Sequence, residues 1–249
     1  MTKILGLIGY PLAHSFSKKY FTQKFEKEKI KNFRYENYPL KDINDLPNLL
    51  KQNPQIIGLN VTIPYKQSVL KFVENEDEIV KKTGATNTLV ISFGRIVKAY
   101  NTDVYGFCQS FKKNIMPQHK SALILGTGGA SRSVAYVLEQ LKIPYLYVSR
   151  NPKNKQTISY NALDKNIILS HQIIINTTPV GTYPNFDEKP FIPYDFITKN
   201  HYFYDLIYNP SKTLFLKEAE KRGAIVCNGL EMLKLQAAKA WKIWNKKSS

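Results

Sequence analysis

The stretch S-A-L-I-L-G-T-G-G-A-S-R, residues 121–132, decides the fold of this chain. Its apolar residues 122–125 predict a short buried strand, and apolar residues at helical spacing from position 130 to 141 predict a helix. Between them, Gly126 would allow a tight turn and Gly128 would let a ligand approach the backbone. The N-terminus of the helix would add unpaired N–H groups. A strand, a glycine turn and a helix in this order predict a site for the diphosphate of a dinucleotide.

The rest of the chain also reads as α/β. Predicted strands and helices alternate after residue 122, which is typical of parallel βαβ units. The first hundred residues contain three further predicted strands and a hairpin formed by residues 87–91 and 96–100. We therefore predict an α/β protein with two domains and a cleft between them.

The composition limits the classes of function. The 249 residues carry a formal net charge of +17, which would suit binding to nucleic acid or another polyanion. The lysines, however, are dispersed among glutamates on predicted helix faces and do not form one stripe interleaved with aromatic residues. This favours a lysine-rich surface, and a basic nucleic-acid-binding protein without turnover stays a remote alternative.

Cysteine, histidine and hydropathy patterns suggest where the protein works. Cys108 and Cys227 are isolated, which predicts no disulfide framework and favours a reducing compartment. The four histidines are scattered without the spacing of metal ligands, so no metal site is expected. No stretch approaches the roughly 18 apolar residues of a membrane span, and the N-terminus does not resemble a signal peptide. We expect a cytoplasmic protein without a membrane partner.

Five short polar clusters stand at the ends of predicted strands or the starts of predicted helices, where open α/β sheets bind ligands. They are G-Y-P-L-A-H-S-F-S (9–17), N-V-T-I-P-Y-K (60–66), G-A-T-N-T (84–88), N-T-D (101–103) and G-L-E-M-L-K-L-Q (229–236). Lys66 is predicted in the first turn of a helix that runs to Phe72, where the helix dipole disfavours a cation. A lysine placed against this preference indicates a functional role, and the alternative is an ordinary exposed lysine. Taken singly, each cluster also fits an ordinary structural role such as a helix cap.

Taken together, the motifs resemble the shikimate dehydrogenase family from Gly9 to Gln236. The motifs that carry the resemblance are the serine pair at 15 and 17, N-V-T-x-P-x-K, G-A-x-N-T, N-T-D, G-x-G-G-A-S, Y-x-P and G-x-x-M-L-x-x-Q. Tyr10, Phe16 and Lys18 depart from the family pattern and leave both serines in place.

The resemblance implies a two-domain α/β fold and an activity. An N-terminal α/β substrate-binding domain would comprise residues 1–101 with 230–249, and a Rossmann-like NADP-binding domain would comprise residues 102–229, with a cleft between them. The implied reaction is the reversible NADPH-dependent reduction of 3-dehydroshikimate to shikimate in aromatic amino acid biosynthesis. A catalytically idle regulator that binds the cofactor is a further alternative, which the presence of Lys66 and Asp103 disfavours.

The resemblance also implies roles for individual residues. Lys66 and Asp103 would form the catalytic pair. The substrate-binding set would be Ser15, Ser17, Asn60, Thr62, Lys66, Asn87, Asp103, Tyr208 and Gln236. The cofactor-binding set would be Gly126, Thr127, Gly128, Gly129, Ala130, Ser131, Ser149, Arg150, Asn151, Asn176, Thr177, Thr178, Leu206 and Gly229.

The choice of dinucleotide depends on the end of the second strand after the glycine turn. An acid there selects NAD by binding the ribose hydroxyls, but residues 148–153 (V-S-R-N-P-K) contain none. Arg150 can instead pair with a 2′-phosphate, so we predict NADP. An NAD-preferring quinate/shikimate dehydrogenase is the nearest alternative. We expect a small-molecule substrate, no nucleic-acid partner, and a monomer or homodimer.

Overall fold

A computed structural model describes residues 2–12 and 16–246 of the chain. The chain forms two compact units. Unit 1 contains the chain up to Asp103 together with the chain from Gln236 onward, and unit 2 contains Val104–Leu235. The boundaries predicted from the sequence were 101/102 and 229/230.

Unit 1 is built on a five-stranded sheet with the order β2-β1-β3-β4-β5. Its strands are β1 (Lys3–Gly9), β2 (Phe33–Pro39), β3 (Ile56–Val61), β4 (Thr88–Ser92) and β5 (Arg95–Tyr100). The first three strands are parallel, and β4 and β5 form an antiparallel hairpin at one edge. The carboxyl ends of β1 and β3 therefore lie side by side.

Helices cover both faces of this sheet because alternate residues of its central strands are apolar on both sides. Ile4 and Ile8 pack in a cluster with α2 (Leu46–Gln52) and α3 (Glu78–Thr83). Leu5 and Leu7 pack in a second cluster with α1 (Phe16–Lys27) and α8 (Leu230–Trp244).

The last turn of α8 is fixed to the sheet by Trp244. Its indole N–H donates to the carbonyl oxygen of Leu89 at 2.9 Å. A Cβ atom at Gly58 would lie 2.3 Å from the same ring, so the strand needs glycine at that position to admit the indole.

Unit 2 contains a six-stranded sheet with the order β11-β10-β9-β6-β7-β8, in which every neighbouring pair is parallel. Its strands are β6 (Ala122–Leu125), β7 (Tyr145–Ser149), β8 (Thr157–Ser159), β9 (Ile173–Asn176), β10 (Tyr202–Asp205) and β11 (Ile225–Cys227). Its helices are α4 (Thr102–Phe111, which begins in unit 1), α5 (Gly129–Gln140), α6 (Lys165–Ser170) and α7 (Leu214–Glu220). The strand order reverses beside β6, as in dinucleotide-binding folds, and confirms the predicted Rossmann-like architecture.

No helix among the described residues is both long enough and apolar enough to cross a bilayer.

Candidate active site

Lys66 and Asp103 form an ion pair in unit 1, with 2.5 Å between Nζ and Oδ2. Their side chains are 15% and 8% exposed, so water screens the pair weakly. Asp103 lies in the first turn of α4, where the helix dipole favours a carboxylate. The α-helix predicted from Lys66 to Phe72 is wrong: Lys66 lies in a turn after Pro64, and a short 3₁₀ helix follows at Ser68–Phe72. The argument from the dipole at Lys66 therefore does not hold.

Asn87 holds the carboxylate of this pair in place. Its side-chain amide donates to Asp103 Oδ1 at 2.8 Å and to Gln236 Oε1 at 3.2 Å, while its Oδ1 accepts the backbone N–H of Thr102 at 2.7 Å. One oxygen of Asp103 thus faces Asn87 and the other faces Lys66. The arrangement fixes the rotamer of Asp103 and brings together four residues predicted from the sequence.

Thr88 and Thr102 complete this cluster, although neither was assigned a role from the sequence. Both hydroxyls lie within 3.1 Å of Asn87 Oδ1, and they are 3.2 Å from each other. The signal for them is the repeated Asn-Thr pair at 87–88 and 101–102, which the hairpin register brings together because Thr88 pairs with Tyr100.

Asn60, near the end of β3, is a further member of this polar cluster. It is 4% exposed, accepts the Tyr35 phenol at Oδ1 (2.8 Å) and donates from Nδ2 to the carbonyl of Asn87 (3.0 Å). Ser17 is buried in the first turn of α1, and Thr62 follows β3 by one residue and is half-buried. Ser15 lies outside the described residues.

The cluster in unit 1 presents one half-buried ammonium, one buried carboxylate and several amide and hydroxyl groups. Such a set suits a small, polar ligand with several hydroxyls and a carbonyl that gains negative charge during reaction. Within residues 2–12 and 16–246, no group of three or more histidine, cysteine, aspartate or glutamate side chains could hold a metal ion.

The glycine turn of unit 2 has the geometry of a phosphate cradle. Gly126 has φ +101°, and a Cβ there would lie 3.0 Å from both Thr177 and Thr178, so only glycine fits without strain. The first turn of α5 begins at Gly129 without a side-chain cap, which leaves backbone N–H groups for a ligand. A Cβ at Gly128 would meet nothing within 4 Å, so space for a ligand lies beside this residue. The residues present therefore fit a dinucleotide diphosphate.

Ser131 stands where the third glycine of G-x-G-x-x-G is usual. It is 1% exposed, and its hydroxyl donates to the carbonyl of Gly128 at 2.6 Å. The serine therefore closes the turn from within the helix. Of the neighbouring predicted residues, Thr127 is exposed and Ala130 is half-buried.

The segment after β9 braces the glycine turn. Thr177 donates from its hydroxyl to the carbonyl of Leu125 at 2.6 Å. Asn176 is fully buried and accepts the Thr178 hydroxyl at 2.7 Å. Asn176 is thus buried at the end of β9, whereas Thr177 and Thr178, which follow it, are half-buried.

Asp205, at the end of β10, was assigned no role from the sequence. It is fully buried and accepts hydrogen bonds from Asn176 Nδ2 (3.1 Å), Ile207 N–H (3.0 Å) and Thr213 Oγ1 (2.6 Å). Burial raises the pKa of Asp205 to about 6, and the three donors oppose that rise. The carboxylate joins the end of β9, the segment after β10 and the start of α7.

Leu206 and Gly229 are in direct backbone contact in unit 2. A Cβ at Gly229 would lie 2.0 Å from the carbonyl oxygen of Leu206, so glycine is required there. Tyr208 follows in the same irregular segment and is half-buried.

The segment after β7 carries the residues predicted to select the cofactor. Ser149 accepts the backbone N–H of Asn151 at its hydroxyl oxygen, 3.2 Å away, which shapes the turn. Arg150 is exposed. A guanidinium there is free to turn toward a phosphate that binds over the end of the strand.

Comparison with known proteins agrees with these features. A family model described as the shikimate dehydrogenase substrate binding domain matches residues 7–89. A protein of Methanococcus maripaludis (strain C6) named shikimate dehydrogenase (NADP(+)) is 39% identical over 262 residues, which cover 99% of this chain and 92% of that protein.

Solved structures give the same relationship. A chorismate mutase/shikimate 5-dehydrogenase fusion protein from Clostridium acetobutylicum superposes with a TM-score of 0.87 at 36% identity, covering 100% of this chain and 93% of that one. Shikimate 5-dehydrogenase from Thermus thermophilus, in complex with NADP(H) and shikimate, gives a TM-score of 0.85 at 27% identity, covering 99% and 94%. From its motifs, its fold and these relatives, the chain belongs to the shikimate dehydrogenase family.

Proposed function

We propose that this protein catalyses the reversible NADPH-dependent reduction of 3-dehydroshikimate to shikimate, a step of aromatic amino acid biosynthesis. The observation that carries the proposal is the Lys66–Asp103 ion pair, whose side chains are largely removed from water. Asn87 holds its carboxylate in place, and further amide and hydroxyl side chains lie around it. The names of the relatives support the substrate and the cofactor, since they are shikimate dehydrogenases that use NADP.

In this proposal Lys66 and Asp103 form the catalytic pair. The nicotinamide, when bound, supplies the hydride that reduces the carbonyl carbon. The ammonium of Lys66 stabilises the negative charge that develops on the carbonyl oxygen and can donate a proton to it. Asp103 orients that ammonium and accepts a hydrogen bond from a substrate hydroxyl. In the reverse direction the neutral amine of Lys66 accepts the hydroxyl proton and becomes the ammonium again, while the hydride passes to the oxidised nicotinamide.

The remaining residues of the proposed substrate set hold the ring. Amide groups can donate to one ring hydroxyl and accept from another, and serine hydroxyls suit a carboxylate without adding a fixed charge. The proposed contacts are Ser15, Ser17, Asn60, Thr62, Asn87, Tyr208 and Gln236.

The proposed cofactor site comprises the glycine turn and the ends of the neighbouring strands of unit 2. The turn at 126–131 would hold the diphosphate, and Arg150, flanked by Ser149 and Asn151, would pair with the 2′-phosphate of NADP. Residues 176–178, Leu206 and Gly229 would contact the ribose and nicotinamide part. The assignment of the diphosphate rests on the open space beside Gly128 and the uncapped start of α5.

A direct assay tests the proposal. The purified protein is mixed with shikimate and NADP⁺, and the formation of reduced nicotinamide is followed by absorbance. We expect turnover that depends on both compounds, with slower rates when quinate replaces shikimate or NAD⁺ replaces NADP⁺. Equal or faster turnover with quinate and NAD⁺ would favour a quinate/shikimate dehydrogenase instead, and no turnover with any pair would refute the activity.

We further propose a cytoplasmic location and a monomeric or homodimeric state. The location is supported by two cysteines that are both free thiols, as is usual for proteins of reducing compartments. Light scattering of the purified protein measures the number of chains in the assembly.

A further inference from the structure

Tyr35 lies within β2, an edge strand of the sheet in unit 1, and its side chain is 3% exposed. Its ring stacks on Phe21 of α1, with 4.7 Å between centroids and 9° between the planes. Its hydroxyl donates to Asn60 Oδ1 at 2.8 Å. The stack on Phe21 therefore fixes the ring of Tyr35. The hydrogen bond to Asn60, a residue of the proposed substrate set, fixes its hydroxyl.

The same phenol oxygen is hydrogen bonded to the side chain of Ser17, in the first turn of α1. Burial raises the pKa of Tyr35 far above its ordinary value, so the hydroxyl keeps its proton throughout the working range of pH. A neutral phenol can donate one hydrogen bond and accept others at the same time. One oxygen atom thereby connects Ser17 on a helix with Asn60 on a strand.

We propose that Tyr35 is a positioning residue for the substrate of the proposed reaction, which it does not itself touch. Asn60 also donates to the carbonyl of Asn87, so the connection continues from Ser17 through Tyr35 to the residue that holds Asp103. Without the phenol oxygen, Asn60 and Ser17 each lose a buried partner and gain rotational freedom. The inference rests on the proposed function, because Ser17 and Asn60 are substrate ligands only within it.

Tyr35→Phe removes the oxygen and keeps the ring, so the stack on Phe21 and the fold survive. We expect the KM for shikimate to rise about tenfold, while kcat and the KM for NADP⁺ stay within about twofold, as for loss of ground-state binding. Tyr194→Phe is the matched control. It removes another buried phenol hydroxyl, which donates to the carbonyl of Pro190 at 2.9 Å in unit 2, and should leave the shikimate KM unchanged.

Two measurements decide between a positioning role and a general structural one. Thermal unfolding compares the stability lost by the two variants, and calorimetry measures shikimate binding without turnover. The proposal would be overturned if Tyr35→Phe left the KM and the affinity for shikimate unchanged. It would also be overturned if kcat fell while the KM values for shikimate and for NADP⁺ rose together. If the wild-type protein binds shikimate but does not oxidise it, the proposed activity fails and the affinity of Tyr35→Phe still judges the role of Tyr35. If the wild type does not bind shikimate, both proposals are refuted.

Discussion

The ammonium of Lys66 is the cation of the proposed chemistry, and its removal is the sharpest test at the level of a residue. We expect Lys66→Ala to lower kcat by about 10² or more with little change in the shikimate KM, because the charge acts on the transition state. Lys81→Ala, at an exposed position of α3, is the control and should behave as wild type. Near-normal turnover of Lys66→Ala would remove Lys66 from the mechanism.

For two glycines of the turn, Gly126 and Gly128, we expect opposite outcomes of the same substitution. At Gly126, alanine would adopt φ +101° against Thr177 and Thr178, so we expect Gly126→Ala to lower the melting temperature. At Gly128, φ is −79° and a Cβ meets no protein atom, so Gly128→Ala should fold with a stability change of about 1 kcal/mol or less.

Gly128→Ala should nevertheless raise the KM for NADP⁺ by about tenfold or more, because the added methyl group occupies the space assigned to the diphosphate. Melting curves and cofactor titrations measure the two effects separately. A Gly128→Ala protein with normal affinity for NADP⁺ would place the diphosphate elsewhere.

Among individual residues, the role of some side chains could be predicted from the sequence and that of others could not. Lys66, Asn87, Asp103 and Gln236 stand in recognisable motifs, and the structure brings them together. Tyr35 and Asp205 matter through burial and through partners far along the chain, such as Asn60 and Asn176. A tyrosine or aspartate in a strand carries no local signal of such partners, so only tertiary structure identifies them.

Among the secondary-structure elements, the long helix α8 and the short strand β6 were predicted, whereas two other short elements were not. The apolar face of α8 gave the bounds Leu230–Trp244 that the structure has. The elements β8 and α6 were missed because three and six residues are too few to establish a period. The segment after Pro64 has apolar residues at helical spacing, yet it forms a turn and a short 3₁₀ helix.

Two turns in unit 2 are closed by histidines in the same way. His119 Nδ1 accepts the backbone N–H of Met116 at 2.9 Å, and His201 Nδ1 accepts that of Thr198 at 3.0 Å. Protonation of Nδ1 would set two N–H groups against each other in each turn. Burial also disfavours the charged ring, so the pKa of both histidines is lowered in the folded protein.

The lowered pKa values predict the direction of the pH effect. The unfolded chain binds the protons more readily, so the contribution of these histidines is complete above about pH 6.5 and is lost as pH falls through their folded pKa values. Asp205 acts in the opposite direction, since its pKa is raised to about 6 and its neutral form is favoured.

Because Asp205 opposes the histidines, the contribution of one histidine to stability is measured by comparing a variant of that histidine with wild type. In His119→Asn, the amide oxygen can accept the Met116 N–H but does not titrate. We expect its free energy of unfolding, measured in urea, to fall less between pH 7 and pH 5 than that of wild type. Equal losses in the two proteins would show that His119 does not contribute to acid sensitivity.

For the molecule as a whole, the net charge of +17 sets a long-range field. NADP⁺ and shikimate are anions, so a positive field raises their encounter rates, and salt screens it. We expect kcat/KM to fall several-fold when KCl rises from about 20 mM to about 200 mM, more steeply for NADP⁺, which carries more charge, while kcat changes little.

A salt-independent kcat/KM for both compounds would contradict this role of the surface charge. Salt-sensitive binding of an oligonucleotide, without any turnover of shikimate, would instead favour the nucleic-acid alternative. Steady-state kinetics measures kcat/KM over this range of KCl, and a binding titration over the same range measures the affinity for the oligonucleotide.

The last helix also fixes the order in which the two units can be completed on the ribosome. Unit 2 is one continuous piece of chain, whereas unit 1 needs Gln236 and Trp244 from α8 to fill positions beside Asn87 and Gly58. The half that begins first during translation is thus finished last. Until then its central strands lack the cover of α8, and exposed apolar strands of this kind are the surfaces that chaperones protect in newly made proteins.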